Sequence, residues 1–228
     1  MGTQWEGIAV MSQAAAAAAK ARLREASETR ILDAAATVFA RLGLSGATMA
    51  GIAREADMPT ATIHYYFGTK HRLYEAVLAH TLRLWVREIE TIKPEDEPRT
   101  AIAAYIAAKM RFSHLHPEAS RIFAGEMLAG GGNVREFLAG ELRLLIERKA
   151  AVLETWVRQG RIRPVAPEHL FFLIWGATEF YANFAPEVRA VTGLAEDEPI
   201  DFESAARSIA DIVLNGCLAL KPGDSSGT

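Results

Sequence analysis

The stretch TMAGIAREADMPTATIHYYFGTKHRLYEAVL, Thr48 to Leu78, decides the fold of this chain. Thr48 stands where it can cap the orphan amide groups of a short helix running to about Glu55, with Ile52 and Ala53 turned inward. Asp57-Met58-Pro59 forms a tight turn, and a second short helix follows from Thr60 to Phe67. Its outward residues are Thr60, Ala61, Thr62, His64 and Tyr65, while Ile63 and Phe67 anchor it. Upstream, Thr29 to Leu42 places Ile31, Ala35, Val38, Phe39 and Leu42 at helical spacing, with Arg30, Asp33 and Arg41 on the opposite face. Gly43 stops that helix. Three short helices with a tight turn before the third are the layout of a helix-turn-helix.

The string T-M-A-G-I-A-R-E-A-x-M-x-x-x-x-I-x-Y-Y-F-x-x-K-x-x-L resembles the DNA-binding signature of the TetR family of one-component bacterial regulators. The likeness covers about fifty residues. Asp57 stands where the family usually has a glycine in a left-handed turn, a conformation that Asp tolerates better than most residues. Pro59 replaces a common capping serine; it fits a helix start but brings no side-chain cap. The resemblance implies phosphate contacts from Thr48, Tyr65 and Lys70, and base-facing roles for Thr60, Thr62 and His64, with Ala61 on the same DNA-facing surface.

Outward from this block, the chain has 228 residues, half of them apolar, enough for one substantial core beside a module of about sixty residues. No alternating strand pattern persists, so the expected fold is all-α: a helix-turn-helix domain over residues 25–72 and a helical ligand-binding and dimerisation domain over 73–221. Residues 1–24 are expected to form a flexible arm and 222–228 a flexible tail. A net charge of −3 argues against a chain whose whole surface binds nucleic acid. Positive charge concentrates instead in Lys20, Arg22 and Arg24, just before the first helix. The early apolar stretch is weak and the cations follow it, unlike a signal peptide, and no run of residues is long and apolar enough to span a bilayer. The expected location is the cytoplasm.

Beyond Phe67, punctuation divides a series of helices: Thr69 to Ile92, Arg99 to His116, Glu118 to Leu128, and a long helix from an Asn133 cap to Gln159. In His169 to Ala185, the run from Leu170 to Trp175 is apolar around most of its circumference and needs cover on two sides. The last helix, Asp201 to Leu220, repeats Ile209, Val213 and Cys217 near heptad spacing, a seam for another helix. With Phe172, these residues predict a four-helix interface between two copies of the chain.

The stretches YIAAKMRFSHLHPEASRIFAGEMLAG (Tyr105 to Gly130) and HLFFLIWGATEFYANFAPEVRAVTG (His169 to Gly193) resemble the effector domain of the family's pyrimidine-utilisation regulators. There, uracil or thymine lowers the affinity of a dimer for its palindromic operator. The resemblance implies a small planar effector and places Trp85, Trp175 and Glu179 at its pocket, with glutamine in place of Glu179 in the relatives and Phe180 and Asn183 replacing His and Asp nearby. An ionised carboxylate only accepts hydrogen bonds, so weaker uracil binding and a preference for ligands rich in N–H groups are expected.

The expected partners are double-stranded operator DNA, a small-molecule effector and a second copy of the chain, with no membrane partner. Half-sites one turn of DNA apart, about 34–36 Å or a multiple of it, would set the spacing of the two reading helices. A regulator of an efflux system, sensing hydrophobic or cationic compounds, is the alternative within the class. A helical-bundle enzyme is the alternative outside it. No Glu-x-x-His pair, nucleophile constellation or cofactor fingerprint supports an enzyme, and none of the histidines has ligand-spaced partners; neither a cofactor nor a metal is expected.

Overall fold

The computed structural model describes the backbone of residues 3–217 and the side chains of residues 18–217. Leu220 and the tail 222–228 lie outside the described residues. Among the described residues the elements are all helical, and the chain divides into two compact units, Met1–Val77 and Leu78–Thr228.

In the first unit, α1 (Thr3–Gly46), α2 (Met49–Glu55) and α3 (Thr60–Phe67) pack around Ile31, Ala35, Val38, Ile52 and Ile63, all buried. The helix begins far upstream of Thr29, and the backbone of the proposed flexible arm is helical from Thr3 onward. The alanine run has the highest helix propensity of any residue type and extends a helix already nucleated by the packed segment downstream. Gly43, at φ 66° and ψ 175°, breaks it, and Leu42, read as inward from spacing, is 49% exposed in the turn before that break. Thr48 caps α2, its Oγ1 accepting from the Gly51 N–H at 3.0 Å.

Asp57 adopts the left-handed conformation, φ 49°. Arg30 of α1 holds it there, donating from Nη2 to the Asp57 carboxylate at 3.1 Å and to its carbonyl at 3.3 Å. The residue that replaces glycine thus gains a tie between α1 and the turn, although an exposed ion pair of this kind contributes little stability.

The unit boundary falls within α4 (Lys70–Glu90), beyond the expected boundary at residue 72. The second unit continues with α5 (Pro98–Leu115), α6 (Pro117–Leu128), α7 (Arg135–Phe137), α8 (Arg143–Arg158), α9 (Pro167–Asn183), α10 (Ala185–Thr192) and α11 (Phe202–Cys217). Its core gathers Ile89 from α4, Ile102, Tyr105, Ile106 and Met110 from α5, Leu145 and Trp156 from α8, and Phe171 and Ile174 from α9. Trp156 Nε1 donates to the Pro94 carbonyl at 2.9 Å and so ties down the α4–α5 loop.

The long helix expected from Asn133 to Gln159 is broken. Asn133 caps nothing; its backbone N–H and side-chain amide both donate to the buried Glu126 carboxylate, at 2.9 and 3.0 Å. That anchors a 3-10 turn, Gly132–Val134, and a π-helical segment, Leu138–Leu142, intervenes before α8. The widened turn brings Leu138 and Leu142 with Phe137 to one cavity wall.

The heptad seam also finds a different partner. Ile209, Val213 and Cys217 are buried in the core of their own chain, where α11 packs on α5. Spacing identifies a helical seam but not the helix that fills it. On α9, Leu170, Phe171 and Ile174 are buried whereas Phe172 and Leu173 are more than half exposed.

Candidate DNA-reading helix and effector cavity

α3 presents Thr60, Ala61, Thr62, His64 and Tyr65 on its accessible side around the buried Ile63, with Tyr65 79% exposed. The small residues permit close approach, and the Ala61 methyl can contact a thymine methyl in a major groove. Tyr66 is half-buried, its ring set edge-on to Tyr65 and 5.9 Å from the Arg24 guanidinium carbon.

Thr48 and Lys70 already have partners within the chain. Thr48 uses an oxygen lone pair for its cap, which leaves its hydroxyl proton for a phosphate. Lys70 Nζ donates to the carbonyls of Ala47 and Ser45, at 2.8 and 3.3 Å, and so pins the loop before α2. An ammonium has three protons, so one remains to meet a phosphate. Lys70→Ala should therefore weaken binding to every duplex alike, lower the salt slope by about one, and loosen the loop as well. Fluorescence anisotropy across salt concentrations checks this, and a loss confined to one DNA sequence would contradict it.

The second unit encloses a cavity of about 190 Å³, walled by Leu82, Trp85, Val86 and Ile89 of α4, Phe123 and Met127 of α6, the Phe137–Leu142 segment, and α9. An engineered apolar cavity of about 150 Å³ accepts a benzene, so this one has room for a single-ring molecule. Trp85, Trp175 and Glu179 all line it. The Trp175 indole N–H is committed to the Tyr105 hydroxyl at 2.6 Å, so Trp175 offers the cavity its ring rather than its donor.

Lys109 is the residue that sequence reasoning missed. It lies on the inward side of α5 with a side chain 3% exposed, and Nζ donates to Glu179 Oε1 at 2.8 Å. The same nitrogen stands 4.1 Å from the centroid of the Trp85 ring, a cation–π contact away from water. Burial pushes the Lys109 ammonium below the ordinary lysine range, and the Glu179 carboxylate draws it back up. A signal was available, because Lys109 stands seven residues after Ile102 and three after Ile106 on one apolar stripe.

The expectation of a purely accepting pocket took Glu179 alone. With Lys109 beside it, the wall offers ammonium protons as well as carboxylate lone pairs. Trp85 also keeps its indole N–H buried without a partner among the described residues, an unmet donor on the same wall.

The two units are thus a compact helix-turn-helix and an all-α unit holding a ring-sized cavity that is partly open to solvent. The family profile for bacterial regulatory proteins of the tetR family matches residues 31–77, and that for the C-terminal region of YcdC-like proteins matches residues 78–220. The HTH-type transcriptional regulator RutR of Escherichia coli K12 is 36% identical over 197 residues, which cover 86% of this chain and 93% of that protein. BetI of Paraburkholderia phymatum is 34% identical over 98 residues, 42% of this chain and 50% of BetI.

Two solved structures share the fold at 18% identity. The ketosteroid transcriptional regulator KstR2 of Mycobacterium tuberculosis aligns with a TM-score of 0.65 over 85% of this chain and 95% of its own. AibR in complex with isovaleryl coenzyme A and operator DNA aligns with 0.61, over 82% and 97%. The chain belongs to the TetR family. It is a helix-turn-helix transcriptional regulator, in a family of regulators and not of enzymes. No helix among the described residues is long and apolar enough to cross a membrane.

Proposed function

We propose that the chain is a homodimeric repressor, released from a palindromic operator when a pyrimidine-dione such as uracil fills the cavity of the second unit. The observation that carries this reading is the Lys109–Glu179 pair on the face of Trp85, inside an otherwise apolar cavity. One edge of uracil presents a carbonyl, an N–H and a second carbonyl in sequence. Lys109 and the Trp85 N–H can meet the carbonyls, and the free Glu179 oxygen can accept from the N–H. The aromatic walls suit a planar ring. The 36% identical relative is RutR, the pyrimidine-utilisation regulator whose likeness the sequence carries.

An efflux regulator sensing hydrophobic or cationic compounds is less well supported. The cavity is small, and its one carboxylate, Glu179, is already neutralised by Lys109, which leaves no net negative charge to draw in a cationic guest. Titration calorimetry with uracil, thymine, cytosine and a cationic dye separates the two readings. Uracil and thymine should bind at least about five-fold more tightly than cytosine, which replaces a carbonyl with an amino donor facing Lys109, the loss being about 1–3 kcal/mol for an unmatched buried polar group. Preference for the dye would overturn the reading.

The dimer is assigned to a different surface from the heptad seam. Leu173, Gly176 and Phe180 fall three and four residues apart on the exposed side of α9, Phe172 lies beside them, and Ile212 stands exposed on α11, which packs against α9. Gly176 allows another helix to approach closely. A second copy presenting the same residues would bury this patch by two-fold symmetry.

A further inference from the structure

The last turn of α3 contains a hydrogen-bonded device that fixes the chemical character of His64. The Gly68 N–H donates to the His64 carbonyl at 2.9 Å, while His64 Nδ1 lies 2.8 Å from the Gly68 carbonyl oxygen. Gly68 itself is the centre of a γ-turn: φ is 70°, ψ is −72°, and the Thr69 N–H donates to the Phe67 carbonyl at 2.8 Å. This conformation is strained for any residue with a Cβ and turns the Gly68 carbonyl back toward the imidazole. No atom lies within 4 Å of where a Gly68 Cβ would stand, so the backbone angle, rather than crowding, calls for glycine.

A carbonyl oxygen only accepts, so Nδ1 must carry the proton. In the neutral ring Nε2 is then a bare lone pair. His64 is exposed on the side of α3 that carries Thr60, Ala61 and Thr62. In a major groove, guanine and the thymine carbonyl present acceptors, which repel a lone pair; adenine N6 and cytosine N4 present amino protons, which meet it.

We propose that His64 reads, through Nε2 as an acceptor, the exocyclic amino group of one adenine or cytosine in each operator half-site, and that the Gly68 carbonyl sets this preference as a positioning group. The inference rests on the reading of α3 as the helix that enters DNA.

The test selects duplexes, from a pool randomised over two half-sites, with the full-length protein and with His64→Ala. The wild type should enrich adenine or cytosine at one position per half-site, and His64→Ala should be indifferent there. The amino group is then deleted at that position, with purine replacing adenine or 2-pyrimidinone replacing cytosine. The wild type should lose roughly three- to ten-fold in affinity, the worth of one hydrogen bond, and His64→Ala nothing. Gly68→Ala, which strains the turn and frees the ring to place its proton on Nε2, should broaden the preference toward guanine and thymine.

A His64-dependent preference for guanine or thymine overturns the proposal, as does an amino deletion that costs both proteins alike. Selection unaffected by His64→Ala removes the role of His64 but leaves α3 as the reading helix. Failure of the wild type to select any sequence removes both.

Discussion

Glu179→Leu should destabilise the second unit by about 3–5 kcal/mol, because it leaves the Lys109 ammonium buried without its carboxylate. For a chain of this size the melting temperature should fall by roughly 6–20 °C. Uracil binding should vanish with it. The pairing can be separated from the binding: Lys109→Met with Glu179→Leu replaces both charges by apolar groups and should return stability to near the wild-type value while leaving the cavity unable to bind uracil. Differential scanning calorimetry and titration calorimetry on the three proteins check this, and a double variant as unstable as the single one would show that the ion pair is not the source of the loss.

Glu179→Gln keeps an acceptor but removes the charge that draws the Lys109 ammonium upward. A lysine whose folded pKa lies below its unfolded value of 10.5 makes the folded state bind fewer protons between the two values, so stability rises with pH across that window and is level below the folded value. The Gln variant should show this rise over a wider pH range than the wild type. Thermal unfolding at several alkaline pH values reads it directly.

The second large effect concerns assembly. Leu173→Asp or Ile212→Asp puts a carboxylate on the exposed patch without touching the core of the chain, and should split the dimer into folded monomers. Ile209→Asp or Val213→Asp instead buries an unpaired carboxylate within the chain and should unfold it. Light scattering with far-ultraviolet circular dichroism distinguishes the outcomes. Folded monomers from the Ile209 variant, with a persistent dimer from the Leu173 variant, would return the interface to the heptad seam. Loss of the dimer should also weaken operator binding steeply, since two half-sites are held together only by the paired copies.

The helix-turn-helix was legible because its determinants are local. A cap at Thr48, a left-handed turn at Asp57 and the inward Ile52 and Ile63 lie within sixteen residues, and each is settled by near neighbours. What failed were statements about partners distant in sequence. The α11 seam was visible in the spacing of Ile209, Val213 and Cys217, yet only the fold shows that α5 of the same chain fills it. Asn133 looks like a helix cap until Glu126, seven residues earlier, claims both of its donors. Lys109 and Glu179 are seventy residues apart, so the carboxylate could be placed by resemblance while the ammonium that changes its chemistry stayed hidden.

The central claim is that filling this cavity releases the protein from DNA, and operator affinity measured with and without uracil tests it most directly. Fluorescence anisotropy of a labelled operator, selected by the full-length wild-type protein, should show affinity falling at least five-fold at saturating uracil, within the usual range of coupling between two sites. The same titration with the Lys109→Met, Glu179→Leu protein should show no change. An operator affinity that uracil leaves unaltered in the wild type would contradict the account.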